Sequence, residues 1–218
     1  MIEAKFKLTE ETINVNGKTL YRIEALKDFG NVKKGDKGGF IEKECNLSQS
    51  GDCWVYDNAK VYNNAKVFDY ADIYGNAEVF GNAIISGNAR VYGNAKVYHY
   101  AMVYEDAEVY DNAKVFGNAE IYDNAKVFGN AEVFGNAEIR GNAEIATDAD
   151  YRVFKNWWSS GRYFTWTKGN DMWKVGCFYG TGEQLIEKAY KDSEKSGKEY
   201  KKVVKYIETI LKDNNADV

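Results

Sequence analysis

Proline is missing from all 218 residues, histidine occurs once and cysteine three times. Without proline there is no proline-rich linker between segments. The lone histidine, His99, gives no indication of a Ser/His/Asp triad. Cys45, Cys53 and Cys177 are odd in number and far apart, which argues against a disulfide framework and against a zinc site. No apolar stretch approaches about 18 residues, and no signal-peptide pattern opens the chain. The expectation is a soluble protein working in a cytoplasm, with no membrane partner. Positive charge is not in surplus either. The net charge of −4 disfavours sequence-independent nucleic-acid binding. Disorder is excluded by 44% hydrophobic and 15% aromatic residues.

What the sequence has instead is repetition. From Ala59 to Ala143 an alanine recurs every six residues, and another stands at Ala149. Val or Ile follows two positions after each, from Val61 to Ile145, usually with a charged residue between. Tyr or Phe comes next in most units, then Gly-Asn or Asp-Asn. Cys53 stands where alanine stands later, so it reads as a packed thiol. In a strand, alternate side chains point to opposite faces, so Ala and Val share one face and the charged and aromatic residues the other. Gly-Asn and Asp-Asn tolerate positive φ and bend the chain. One such unit cannot bury its apolar face alone, but stacked coils can. A six-residue period suits a three-sided coil of about eighteen residues, with each buried Val or Ile worth roughly 1.5–3 kcal/mol. Nearly six coils fit between Cys53 and Ala149, a rod of roughly 25–30 Å.

The spacing of aliphatic Val61 and small Ala65, four residues on, resembles the hexapeptide-repeat, left-handed parallel β-helix proteins. The resemblance covers about residues 51–151. It implies the left hand, which periodicity alone does not give. Many proteins of that family are trimers and many are acyltransferases, so the fold leaves function open.

The flanks differ. Residues 1–50 hold "TINVNGKTLYRI", a hairpin signal about Asn16-Gly17. The glycine-rich "GNVKKGDKGGF" lacks P-loop spacing and reads as a turn. This segment is expected to cap the open edge of the first coil. After residue 151, "RYFTWTKGNDMWKVGCF" predicts a hairpin turning near Gly169-Asn170. "TGEQLIEKAYKDSEK" predicts a helix with a Thr181/Gln184 capping box, ended by Gly197. A second helix follows, with Tyr200, Val203, Val204, Ile207 and Leu211 on one core face. The expected organisation is an N-terminal β cap (1–50), a mainly β solenoid (51–151), and a C-terminal hairpin with two helices (152–218). Leader and tail are similar to bacteriophage- and prophage-encoded hexapeptide-repeat proteins, often labelled transferases or polymer-forming proteins. That resemblance implies a phage source and a host bacterial cytoplasm, and carries no catalytic residues.

Residues eighteen apart should stack. One column reads Asp72, Arg90, Glu108, Lys126, Glu144, and a second Lys60, Glu78, Lys96, Lys114, Glu132. Both are near-alternating charge ladders, favourable for their own register. The third, Lys66, Ile84, Met102, Glu120, Glu138, breaks the pattern with two apolar residues. Ile84, His99, Tyr100, Met102 and Tyr104 are therefore the expected self-association surface, in keeping with a homotrimer; covering by the leader or the tail is the alternative. The outward aromatics read as stacked protection of the sheet. In the tail, Trp157, Trp158, Arg162, Tyr163, Trp166, Trp173 and Lys174 have the composition of a binding hot spot, with a hydrophobic core as the alternative for the tryptophans. Lys198, Lys201, Lys202 and Lys205 would add a basic face.

Three functions follow. The first is a non-enzymatic oligomeric binding protein that holds a host protein or a small signalling ligand, such as an inhibitor of host defence, with no cofactor. The second is a coenzyme A-dependent acyltransferase with His99 as base. The third is a structural, polymer-forming phage component. The first is preferred, because one histidine and no projecting loop are poor equipment for the second.

Overall fold

The computed structural model describes residues 4–158 and 161–216, with side chains to Leu211 in the last helix. Met1–Asp150 form one compact unit and Tyr151–Val218 another.

The first unit is a parallel β-solenoid. Sixteen two-residue strands, β4 to β19, run from Trp54–Val55 to Glu144–Ile145. All but the last three pair in parallel with the strand eighteen residues on, which gives three flat faces. Backbone bonds repeat with the coil: Lys60 N donates to Ala77 O at 2.9 Å, and Tyr62 N to Val79 O at 3.1 Å. Every alanine from Ala59 to Ala143 is fully buried, as is nearly every Val and Ile two residues later. Small Ala and branched Val thus fill the interior, and the charged and aromatic positions face outward.

The corners explain the Gly-Asn and Asp-Asn pairs. Seven non-glycine corner residues, His99 and Glu105 among them, hold φ of 52–60°. Aspartate repays that strain locally. Asp57 Oδ2 accepts from Gly75 N at 3.0 Å, and Asp69 Oδ2 from Gly87 N at 3.3 Å. Glycine serves where coils touch most closely: a Cβ on Gly87 would stand 2.7 Å from Glu105 N.

The charge ladders stack as expected. Arg90 Nη2 lies 2.8 Å from Glu108 Oε1, and Lys114 Nζ 2.7 Å from Glu132 Oε1. The aromatic columns stack too. Tyr62, Phe80, Tyr98, Phe116 and Phe134 form a continuous series with centroids 4.9–5.3 Å apart. Tyrosine hydroxyls reach carboxylates sixteen residues on, as Tyr92 to Glu108 at 2.9 Å and Tyr104 to Glu120 at 3.0 Å.

The leader builds onto the Lys60 face. β1 (Phe6–Val15) and β2 (Lys18–Ala25) form a hairpin about Asn16-Gly17, and β3 (Lys37–Ile41) pairs with both β2 and the Lys60–Val61 strand. That sheet reaches eight strands. Leu20, Phe40 and Tyr62 pack together, joined by Ile13, Val15 and Phe80. Gly38 and Gly39 allow the close approach of β3, since a Cβ on either would fall 2.5–2.6 Å from the carbonyl oxygens of Val55 or Ala59. In "GNVKKGDKGGF", Asp36 accepts from Lys33 N and Phe29 bridges to Val32, which is a turn.

Side chains meet backbone groups at both ends of the solenoid. At the start, Asn46 Nδ2 donates to Ala65 O at 2.8 Å and to Asn63 O at 3.1 Å. At the finish, Asp148 Oδ1 accepts from Glu132 N at 2.7 Å. One coil earlier that place is taken by a backbone carbonyl, as Ala131 O is for Lys114 N.

In the second unit, β20 (Tyr151–Lys155), β21 (Tyr163–Thr167), β22 (Met172–Val175) and β23 (Phe178–Gly180) form an antiparallel four-stranded sheet. The expected hairpin is its β21–β22 pair. Helix α1 (Gly182–Asp192) has the Thr181/Gln184 capping box, and α2 (Glu194–Ala216) follows at once. The break falls at Ser193, whose extended backbone ends α1, and not at Gly197. Gly197 lies inside α2 because a Cβ there would stand 2.3 Å from the Tyr190 ring. Val204 and Ile207 are buried, with Tyr200, Val203 and Leu211 packed around them.

Candidate functional site

The Lys66 face departs from its two neighbours. Its strands pair in the order Lys66, Ile84, Met102, Glu120, Glu138. Ile84 and Met102 are half-buried on an outward column where the other faces carry charge. Beside them the aromatic column is interrupted. Tyr104 stacks on Tyr122 at 4.9 Å, but Ser86 stands between Tyr104 and Phe68. At the adjacent corners Tyr100 is 63% exposed and Tyr70 60%. The structure therefore gathers Ile84, Met102, Tyr100 and Tyr104 on one side of the solenoid. The leader's apolar cluster packs on the Lys60 face, and on the Lys66 face Leu47 bridges to Val67 at the first strand.

His99 belongs to that corner but is turned the other way. Its ring meets Tyr98 edge-on at 4.8 Å and Phe116 at 6.2 Å. Among the described residues no hydrogen bond orients its imidazole. A general base needs a fixed tautomer within reach of the proton it takes. Coenzyme A phosphates also need basic partners, and the groups touching this imidazole are aromatic.

In the second unit the seven tail residues divide. Trp166 and Trp173 are 3% and 1% exposed and belong to the core with Phe164, Val175 and Leu185. For these two the core alternative holds, because a small unit needs large side chains to fill its centre. Trp166 Nε1 donates to Asp171 Oδ1 at 2.8 Å, which meets its polar requirement. Lys174 is also buried, and its ammonium donates to Gly176 O. Trp158 packs against that core, its indole N–H lacking an acceptor among the described residues. Lys155 lies over the Tyr163 ring at 5.6 Å. Arg162 is exposed and lies against Gly176. Trp157 alone of the tryptophans stands out, 83% exposed in the connection between β20 and β21. On α2 the basic face is partly neutralised, Lys198 pairing with Glu194 and Lys202 with Glu199.

A hollow of about 330 Å³ in this unit has Trp173, Val204 and Leu211 with Asp171, Glu183 and Glu208 around it. In the first unit a shallow hollow of about 520 Å³ is lined by Lys5, Lys27, Phe29, Gln49 and Asp52. Lys5 is 1% exposed. Its ammonium donates to Cys53 O at 2.9 Å, Gly51 O at 3.1 Å and Cys53 Sγ at 3.3 Å. Burial pulls this ammonium below its ordinary value, and burial pushes the Cys53 thiol up. Sequence reasoning missed Lys5, since it precedes any periodic pattern. Neither hollow includes His99. Among the described residues no three His, Cys, Asp or Glu side chains are placed to hold a metal ion. No helix among them is long and apolar enough to cross a membrane.

A family described as YdcK Beta solenoid repeat matches residues 85–98 and 89–105, the second of which holds both His99 and Met102. An Escherichia coli (strain K12) protein named "Uncharacterized acetyltransferase YdcK" is 47% identical over 38 residues. That match takes in 17% of this chain and 12% of the relative, so the chain spans about one eighth of that protein's length.

Proposed function

We propose that this chain is a non-enzymatic binding protein. Its solenoid acts as a rigid scaffold, and residues 151–218 hold a host protein or a small signalling ligand. The observation that carries this reading is Trp157, an 83% exposed indole in a unit whose Trp166 and Trp173 are core. An exposed tryptophan and an exposed arginine in the same β20–β21 connection have the composition of an interface anchor. The plainness of the solenoid supports the same reading, since no loop interrupts the repeat from Ala59 to Ala143. The resemblance to phage-encoded repeat proteins supports a bacterial host as the source of the partner, and a defence component as its kind. Native mass spectrometry of gently purified protein tests it. The expected result is a stoichiometric host protein or ligand on the wild type, absent from Trp157→Ala. A bare wild-type protein that turns over acetyl-coenzyme A would overturn it.

One observation favours a second reading, acyl transfer from coenzyme A with His99 as base. It is the likeness to an E. coli protein named as an acetyltransferase. Acetyl-coenzyme A turnover abolished by His99→Ala is the outcome that would establish it.

A further inference from the structure

The Lys66 face is ordered along its length. In its charged column Lys66 stands at one end and Glu120 and Glu138 at the other, with Ile84 and Met102 between; Arg140, in the neighbouring aromatic column at the acidic end, lies over Tyr122 and pairs with Asp123. On the other two faces opposite charges pair within the chain, as Arg90 does with Glu108 and Lys114 with Glu132. Lys66 is exposed and makes no ion pair among the described residues. A column that separates its charges by two apolar rungs is not tuned to its own register. It is complementary to itself turned end for end.

We propose that this face docks onto the same face of a second copy, with the two solenoids antiparallel. The two-fold axis lies along the strand direction, midway between the Ile84 and Met102 rungs. That operation sets Ile84 against the partner's Met102, and Lys66 against the partner's Glu120, each twice. It also sets large against small. Tyr104 faces the partner's Ser86, where the aromatic column has its gap. Tyr100, 63% exposed, faces the partner's Gly81-Asn82 corner. Copies arranged in parallel, including about a three-fold axis, would instead bring Lys66 ends together and Glu120 ends together, and would leave the gap at Ser86 beside its own copy. Four rungs at a spacing of ~4.8 Å make a small contact. Its total is on the order of 1,000 Å², the low end for specific interfaces, so the dimer is reversible. The inference holds whether or not the chain is catalytic, and it uses no residue of the second unit.

Sedimentation equilibrium on the full chain over a concentration series tests it. The wild type should fit a monomer–dimer equilibrium. Lys66→Glu and Glu120→Lys should each weaken the dimer roughly tenfold, since each places like charges together twice. The double variant carrying both changes should restore it, because each exchanged pair is again opposite in sign. Circular dichroism establishes that each variant is folded, and both positions face outward. A wild-type trimer, a monomer throughout the series, a dimer indifferent to the single changes, or a double variant that stays dissociated would each overturn the proposal.

Discussion

Rung after rung, the solenoid buries alanine, valine and isoleucine, whereas residues 151–218 bury Phe164, Trp166 and Trp173 around one centre. Each interior residue of the solenoid answers mainly to neighbours eighteen positions away, so its stability is spread over many near-equal contacts. The second unit concentrates its stability in a few large side chains that strands and helices share. A local fault in the first should remain local. A fault at the centre of the second should take the whole unit with it.

The largest effect is expected from Trp173→Ala. Removing a buried tryptophan costs about 3–5 kcal/mol. The second unit should melt while the solenoid's strand signal persists, seen as two separated transitions in far-UV circular dichroism. A single shared transition would break the contrast. Next comes Ala101→Leu, which overfills one coil at a cost of about 1–3 kcal/mol. Hydrogen exchange should rise at the coils next to Ala101 and remain low at the distant ones. Exchange rising evenly along the solenoid would mean that the coils are less independent than the register implies. Tyr92→Phe is smaller. It removes the 2.9 Å bond to Glu108 at a cost of about 0.5–1.5 kcal/mol, read as a lower denaturant midpoint.

The smallest effect is a sharpening in acid. Burial raises the Asp123 carboxyl. The Arg140 guanidinium at 2.9 Å and Gly141 N at 2.9 Å outweigh burial and hold it below the usual aspartate range. A carboxyl depressed by folding contributes stability above its unfolded value of about 3.9, and loses it as pH falls through the folded value. Stability of the solenoid should therefore decline below about pH 4 more gently in Asp123→Asn than in the wild type. Equal slopes in denaturant titrations at stepped pH would remove Asp123 from the account.

The repeat was legible because strand period, corner chemistry and coil period all agree in residues such as Ala95, Val97 and Gly93-Asn94. The stacking of Arg90 on Glu108 could be written down from spacing alone. The second unit was less legible, because composition does not say which tryptophan faces inward. Trp157 and Trp173 look alike in the sequence, and only the pairing of β21 with β22 separates them. Gly197 misled for a related reason: glycine reads as a stop, yet here it makes room for Tyr190 across the helix pair. Lys5, Asn46 and Asp148 carry no periodic signal, so their roles appear only once the ends of the solenoid are seen.

Those ends carry a consequence for scale. Asn46 supplies an amide where a preceding coil would have offered its backbone, and Asp148 supplies a carboxylate where a following coil would have offered a carbonyl. Each side chain imitates a missing neighbour and occupies the place that another copy would need for end-to-end growth. One backbone group is met in this way at the finish, Glu132 N, and two at the start, Asn63 O and Ala65 O. The span of the coils between them is roughly 25–30 Å. At those groups a copy arriving end to end would meet a side chain already in place, whereas β17, β18 and β19 remain the last strands of their three sheets.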